Sequence, residues 1–247
     1  MLKIAILGNS QESHETANWQ KARDMAAMLS GGWHQIISAG SNGIASAAAA
    51  GVRQIHQVPV PGQFSHLRVL TDIGDSSNYF PSESNENDYF GNLSKLVMCP
   101  DIWVFFPGQD GTAQQLTSVL HLLRKGVLSL HYKWIVMMDS ENPLINWGTA
   151  FLKMRDSKIS WIVTDDIGRI EELIDDIEFR AMDLIVRVWQ DSQLDGVMTS
   201  RELRQQVMMA DPRMGYDLCE RMINKAASYG DIKITDKRHV KSWLSIS

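Results

Sequence analysis

The chain has 247 residues, a formal net charge of −5 and 44% apolar side chains, which predicts one large or two unequal globular domains. This composition excludes an extensively disordered protein, and a chain without an apolar run of 18 residues is not expected to cross a membrane. Met1 leads directly into an apolar segment without a basic leader, so we predict a cytoplasmic protein. Cys99 and Cys219 lie outside any CxxC or Cys/His cluster, and we therefore expect neither a disulfide framework nor a metal site.

Charge divides the chain into two parts. Residues 1–178 carry a net charge of −7, whereas residues 179–247 carry a net charge of +2. This asymmetry predicts two domains with a boundary near residue 178.

Short apolar segments alternate with longer amphipathic segments through residues 1–178. Strands separated by helices are typical of a parallel sheet that is buried on both faces, so we predict a Rossmann-like, doubly wound α/β domain. The predicted strands are Leu2–Leu7, His34–Ala39, Gln57–Val60, Ile102–Phe106, Trp134–Met138 and Trp161–Val163. The predicted helices are Glu15–Leu29, Ile44–Val52, Glu86–Met98, Ala113–Lys125, Trp147–Met154 and Ile167–Asp176.

The remaining 69 residues follow a different pattern. We predict three helices, with Thr199 and Glu202 forming a capping box at the start of the second and Gly230 ending the third. The predicted helices are Phe179–Trp189, Thr199–Met209 and Gly215–Tyr229, and two strands, Ile232–Ile234 and Val240–Leu244, would form a hairpin. This order is typical of a winged helix-turn-helix, although other short helical domains share it.

The segment Pro107–Thr112 joins a predicted strand to a predicted helix and contains Gly108 and Gly111. Backbone N–H groups at a helix N-terminus attract anions, and glycine lets the backbone approach a ligand closely. Thr112 could cap the helix and also donate its hydroxyl to a phosphate oxygen. The segment therefore predicts a phosphate site, and the alternative is an ordinary turn that uses glycine for its geometry.

Two further polar turns follow predicted strands. Gly40, Ser41, Asn42 and Gly43 separate the second strand from an alanine-rich helix, and Ser10 follows the first strand. Ligands of parallel sheets bind at the carboxyl ends of the strands, so these turns are expected to line the same crevice. Each could also be an ordinary tight turn or helix cap.

Residues 1–178 resemble the LONELY GUY family of lysine-decarboxylase-like proteins, within the wider SLOG group of Rossmann nucleotide-binding domains. The resemblance rests on the turn after Leu7, the segment Ala39–Gly51, and Pro107–Gln115, which follows the family signature PGGxGTxxE. The order of a Rossmann domain followed by a short tail resembles the domain order of DprA-like proteins. The resemblance implies a nucleotide or nucleoside-phosphate ligand and a homodimer.

The chain departs from the family pattern at three positions. Gln109 replaces the second glycine of the signature, Gln115 replaces its glutamate, and Gly91 or Asn92 occupies the place of an arginine. In family enzymes the arginine and glutamate are associated with cleavage of an N-glycosidic bond, and a neutral amide cannot act as a carboxylate base or nucleophile. The resemblance thus implies that Asn92 and Gln115 contact the sugar, while Asp110 is the candidate for a relocated catalytic carboxylate. Glu83, Glu86 and Asp88 are further candidates for that role.

Three functions follow from these residues. The first is binding of a nucleotide or nucleoside phosphate without the family chemistry, with Gly108, Gln109, Gly111 and Thr112 around the phosphate. The second is an N-glycosidic hydrolase or transferase that uses Asp110. The third is a DNA-binding or regulatory protein that uses the basic residues of the tail, which are Arg201, Arg204, Arg213, Arg221, Lys225, Lys237, Arg238 and Lys241. None of the three requires a further cofactor or a membrane.

Overall fold

A computed structural model describes residues 1–39, 42–56, 64–66, 89–125, 132–139, 141–153, 159–192 and 198–234. For residues 64–66, 89–92 and 151–153 only the backbone is described. The chain divides into two compact units, one comprising Leu2–Glu172 and the other Met1 together with Leu173–Ser247. Each unit is described separately below, and the boundary predicted near residue 178 stays a prediction.

The first unit contains a six-stranded sheet in which every pairing is parallel. The strands are β1 (Lys3–Leu7), β2 (Gln35–Ser38), β3 (Phe64–His66), β4 (Ile102–Phe105), β5 (Trp134–Met138) and β6 (Ser160–Thr164). Their order is β3-β2-β1-β4-β5-β6, so the direction of winding reverses between β1 and β4. This architecture confirms the predicted Rossmann-like α/β fold, because a reversal at the centre of a parallel sheet is its defining feature.

Helices connect the strands of this unit. They are α1 (Ala17–Gly31), α2 (Ile44–Ile55), α3 (Tyr89–Met98), α4 (Asp110–Arg124) and α5 (Pro143–Lys153), and α6 (Gly168–Ser192) follows β6. The core is built from fully buried residues of the central strands, Trp103 and Phe105 among them, and from the inner face of α4. Trp103 Nε1 donates to the Leu96 carbonyl at 3.2 Å, which satisfies the one polar atom of that buried ring.

Gly51 permits an unusually close approach of α1 and α2. A Cβ atom built on Gly51 would lie 2.1 Å from the carbonyl oxygen of Arg23, well inside van der Waals contact. The alanine-rich sequence of α2 has the same consequence, because small side chains let two helices pack with their backbones close together. The arrangement holds the first residues of α2 firmly against β1.

Some predicted elements differ from the observed ones. Strand β3 is Phe64–His66, and the predicted strand Gln57–Val60 lies outside the described residues. Helix α5 begins at Pro143, four residues before the prediction, since proline is favoured in the first turn of a helix. The helices predicted at Ile167–Asp176 and Phe179–Trp189 are one continuous helix, α6, because no residue between them breaks a helix.

The second unit contains most of α6 and two further helices, α7 (Ser200–Ala210) and α8 (Tyr216–Tyr229). The capping box of Thr199 and Glu202 is present, and Gly230 ends α8 in the left-handed conformation with φ +82°. The second and third helices predicted for this part of the chain are thereby confirmed. Burial raises the pKa of the Cys219 thiol to about 11.

The hairpin of the predicted winged helix-turn-helix is not established. Residues 235–247, which include the strand predicted at Val240–Leu244, lie outside the described residues. Residues 232–234 are described and are not assigned to a strand. Among the described helices of both units, none is long and apolar enough to span a membrane.

Candidate functional site

The candidate site lies at the edge of the sheet where the strands of the first unit end. The turns that follow β1, β2, β4 and β5 all leave the sheet at this edge, because every strand runs in the same direction. The turns after β1 and β4 flank the point where the winding reverses, and ligands of open α/β sheets bind in that crevice. The edge therefore brings the predicted polar turns together.

Asn9 links the turns that follow β2 and β4. Its backbone N–H donates to the carbonyl oxygen of Pro107 at 3.1 Å, and its own carbonyl oxygen accepts from the Ile44 N–H at 3.1 Å. Its side-chain oxygen accepts from the Gln11 N–H at 3.0 Å, which stabilises the turn itself. Asn9 belongs to the polar turn after the first strand that sequence analysis identified, but its role in linking the turns was not predicted. The three turns consequently form one hydrogen-bonded structure rather than three independent loops.

Gly43 lies against the same turn. It has φ +65° and ψ −127°, and a Cβ atom built on it would lie 2.1 Å from the Asn9 carbonyl oxygen and 2.8 Å from the Ser10 Cα. Only glycine tolerates both the conformation and the contact. Gly43 and Ser10, predicted from separate motifs, are thus direct neighbours.

Gly108 and Thr112 pack against each other at the start of α4. A Cβ atom built on Gly108 would lie 2.1 Å from Thr112 Oγ1, so the hydroxyl is directed at the turn that follows β4. Thr112 is 4% exposed. The prediction that Thr112 caps the helix is wrong. Helix α4 begins at Asp110 with Gln109 as its N-cap, so Thr112 lies within its first turn.

The N-terminus of α4 has no side-chain cap. The Gln109 side chain makes no capping hydrogen bond, and the described chain has no atom within 4 Å of a Cβ built on Gly111. Uncapped N–H groups and the helix dipole together create a positive local potential. Gln109, Asp110 and Gly111 are all exposed. Asp110 was predicted to lie in the turn, but it is the first residue of the helix. Its carboxylate opposes part of this positive potential.

Comparison with known proteins shows which fold this is. No family model and no curated protein sequence matches the chain. The structural-genomics protein TM1055 superposes with a TM-score of 0.53 and 14% identity over 71% of this chain and 99% of its own. The molybdenum cofactor binding protein from Rippkaea orientalis superposes with a TM-score of 0.51 and 12% identity over 71% of this chain and 94% of its own.

The shared structure is a Rossmann-like α/β fold. Identities of 12% and 14% establish that fold and leave the ligand of this chain open. Both superpositions cover nearly the whole of the other protein but only 71% of this chain, so part of this chain has no counterpart in either structure.

The other predicted site residues are placed as follows. Asn42 is exposed beside Gly43, and Ser10 is half-buried. Gln115 is half-buried on α4, whereas the Asn92 side chain on α3 is outside the described residues. Gly40, Ser41, Glu83, Glu86 and Asp88 also lie outside the described residues. Within the described ranges, no three His, Cys, Asp or Glu side chains group closely enough to hold a metal ion.

The turn after β5 was missed by sequence analysis. Asn142 is 2% exposed, and its Nδ2 donates to the carbonyl oxygens of Met138 at 3.1 Å and Phe105 at 3.3 Å. Its Oδ1 accepts from the Leu144 N–H at 3.0 Å, which caps α5. Asn142 therefore joins the ends of β4 and β5 at the base of the site. An asparagine directly before Pro143 was the available sequence signal.

Four of the cations proposed for DNA contact in the second unit are paired with carboxylates. Arg204 pairs with Glu220 at 3.1 Å and Arg213 with Asp211 at 2.8 Å, and Arg221 and Lys225 pair with Asp217 and Glu178. An arginine held by a carboxylate is less available to a phosphate. The remaining predicted cations include Lys237, Arg238 and Lys241, which lie outside the described residues.

Proposed function

We propose that the first unit binds a nucleotide or nucleoside phosphate, with the phosphate at the N-terminus of α4. The observation that carries the proposal is the Thr112 hydroxyl, which is directed at the turn after β4 from the first turn of a helix that has no side-chain cap. A hydroxyl beside uncapped N–H groups can donate to an anion that those groups also bind. A phosphate oxygen would accept from the hydroxyl and from the N–H groups together.

The turns after β1 and β2 support the same proposal. The Ile44 N–H already donates to Asn9, so the first donor of α2 is occupied, whereas α4 has no side-chain cap. We therefore place the phosphate on α4 and the rest of the ligand along the crevice toward Ser10 and Gly43. One solved structure of this fold is a molybdenum cofactor binding protein, which supports binding of a small-molecule ligand by this fold.

Replacing Thr112 with valine tests the proposal. The substitution preserves the shape of the side chain and removes the hydroxyl. The affinity for adenosine 5′-monophosphate is therefore expected to fall roughly tenfold or more, because a hydrogen bond to a charged group contributes about 1.5–3 kcal/mol. Isothermal titration calorimetry would measure this loss. Thr112→Ser, which keeps the hydroxyl, should retain most of the affinity.

Thr117→Val is the matched control. Thr117 lies on the same helix, but its hydroxyl donates to the Ala113 carbonyl at 2.7 Å and is not expected to reach the ligand. Equal losses in the Thr112 and Thr117 variants, or an affinity for adenosine equal to that for its monophosphate, would contradict the proposal. Release of free adenine during the titration would instead favour the N-glycosidic hydrolase.

A further inference from the structure

The turn between β5 and α5 carries a carboxylate at the same edge of the sheet as the proposed phosphate site. Strands β4 and β5 are paired in register, with Phe105 opposite Met137. Asp139 follows β5 directly, Pro107 lies two residues beyond Phe105, and neighbouring strands are about 4.8 Å apart. The Asn142 side chain donates to both strand ends, at Phe105 and Met138, which keeps the two turns together.

The backbone and carboxylate of Asp139 are held in one arrangement. Asp139 has φ +72°, a left-handed conformation that aspartate adopts more readily than most residues. Its Oδ1 accepts from the Glu141 N–H at 3.0 Å, and its carbonyl oxygen accepts from the Asn142 N–H at 3.0 Å. No described group donates to its Oδ2, and the residue is half-buried. The side chain is therefore pre-organised with one acceptor oxygen available.

A fixed carboxylate next to an anion site discriminates between ligand groups. It repels a second negative charge, whereas a hydroxyl group can donate to it in a charge-assisted hydrogen bond. A ligand with a phosphate on α4 and hydroxyl groups close to that phosphate satisfies both requirements, and phosphorylated sugars have this arrangement.

We propose that Asp139 is a specificity residue that accepts a hydrogen bond from a sugar hydroxyl of the phosphorylated ligand. This inference rests on the proposed function. The assignment adds the β5 side of the crevice to the site, which sequence analysis had confined to the turns after β1, β2 and β4. Ligands whose sugar lacks the hydroxyl leave the carboxylate unpaired beside the phosphate, so they bind more weakly. Sites built to bind a hydroxyl reject analogues without it strongly for this reason.

Titrations of the full chain with orthophosphate, ribose 5-phosphate and 2-deoxyribose 5-phosphate test the assignment. The wild-type protein is expected to bind ribose 5-phosphate about tenfold more tightly than its 2-deoxy analogue. In Asp139→Asn this preference is expected to fall below about threefold, while orthophosphate binds equally well or more tightly because a repulsive charge is gone. Asparagine tolerates the left-handed backbone and its oxygen can still accept from the Glu141 N–H, so the fold is preserved.

Glu141→Gln is the matched control, since it removes the same charge from an exposed side chain two residues away, and it is expected to keep the wild-type preference. A preference that persists in Asp139→Asn, or an equal loss for all three ligands, overturns the role of Asp139. A wild-type protein that binds orthophosphate without discriminating between the two sugars also overturns it and leaves the phosphate site standing. A wild-type protein that binds none of the three overturns the proposed function itself.

Discussion

Gly43→Ala is expected to lower the free energy of unfolding by about 3 kcal/mol or more, combining backbone strain of about 1–2 kcal/mol with an overpacking cost of about 1–3 kcal/mol. The added Cβ would lie 2.1 Å from the Asn9 carbonyl oxygen, and φ of +65° disfavours every side chain. Asn9 cannot yield easily, because that carbonyl accepts from Ile44 and its N–H donates to Pro107. Urea unfolding followed by circular dichroism would measure the loss.

Gly111→Ala is the matched control for this substitution. A Cβ at Gly111 meets nothing within 4 Å in the described structure, and the residue is inside a helix, where alanine is favoured over glycine. Its stability is expected to be unchanged or higher by up to about 1 kcal/mol. Similar effects of the two substitutions would show that the close contact of Gly43 with Asn9 does not determine stability.

The fold was predictable because each buried strand is a short, continuous apolar segment. Leu2–Leu7 and Trp134–Met138 are bounded by polar turns, and strands buried on both faces carry no alternation that could confuse their assignment. Strand β3 was not predicted because the short strand Phe64–His66 contains one apolar residue in three. At such lengths, pairing with β2 decides the position of the strand, and pairing is not visible in a local pattern.

The start of α4 shows how a correct motif can be given the wrong geometry. Thr112 was predicted as the cap because threonine is a preferred N-cap residue. The helix begins instead at Asp110, whose carboxylate interacts favourably with the positive end of the helix. This earlier start moves the Thr112 hydroxyl from the end of the helix to the floor of the turn, against Gly108.

Asn9 and Asn142 could not be assigned a role from their local sequences. Each acts by bonding to backbone groups of other strands, namely Pro107 for Asn9 and Phe105 for Asn142. Such contacts depend on the order and register of the strands, which no motif of a few residues encodes. The sequence identified the turns after β1, β2 and β4, whereas the turn after β5 and the hydrogen bonds that hold these turns together required the structure.

Asn142→Leu is expected to lower the free energy of unfolding by about 3 kcal/mol, because each buried polar group left without a partner costs about 1–3 kcal/mol. The substitution removes both donors to the Phe105 and Met138 carbonyls and the acceptor for the Leu144 N–H, at a side chain that is 2% exposed. Asn146→Leu makes the same change at an exposed position of α5 and should alter stability by less than about 0.5 kcal/mol. Equal unfolding midpoints in urea for the two variants would refute this role of Asn142.

Asn142→Asp separates the loss of donors from the loss of shape. The new carboxyl group would face the carbonyl oxygens of Phe105 and Met138, so its folded-state pKa is expected to rise above the usual value of about 3.9. A protonated carboxyl can donate to one of those carbonyls, whereas the carboxylate repels both. A group whose pKa is raised on folding contributes stability below its unfolded pKa and loses it as the pH rises through the folded pKa. The free energy of unfolding of Asn142→Asp is therefore expected to be closest to that of the wild type near pH 4 and to fall progressively below it toward pH 7. A difference from the wild type that is independent of pH would show that these carbonyls do not sense the charge of residue 142.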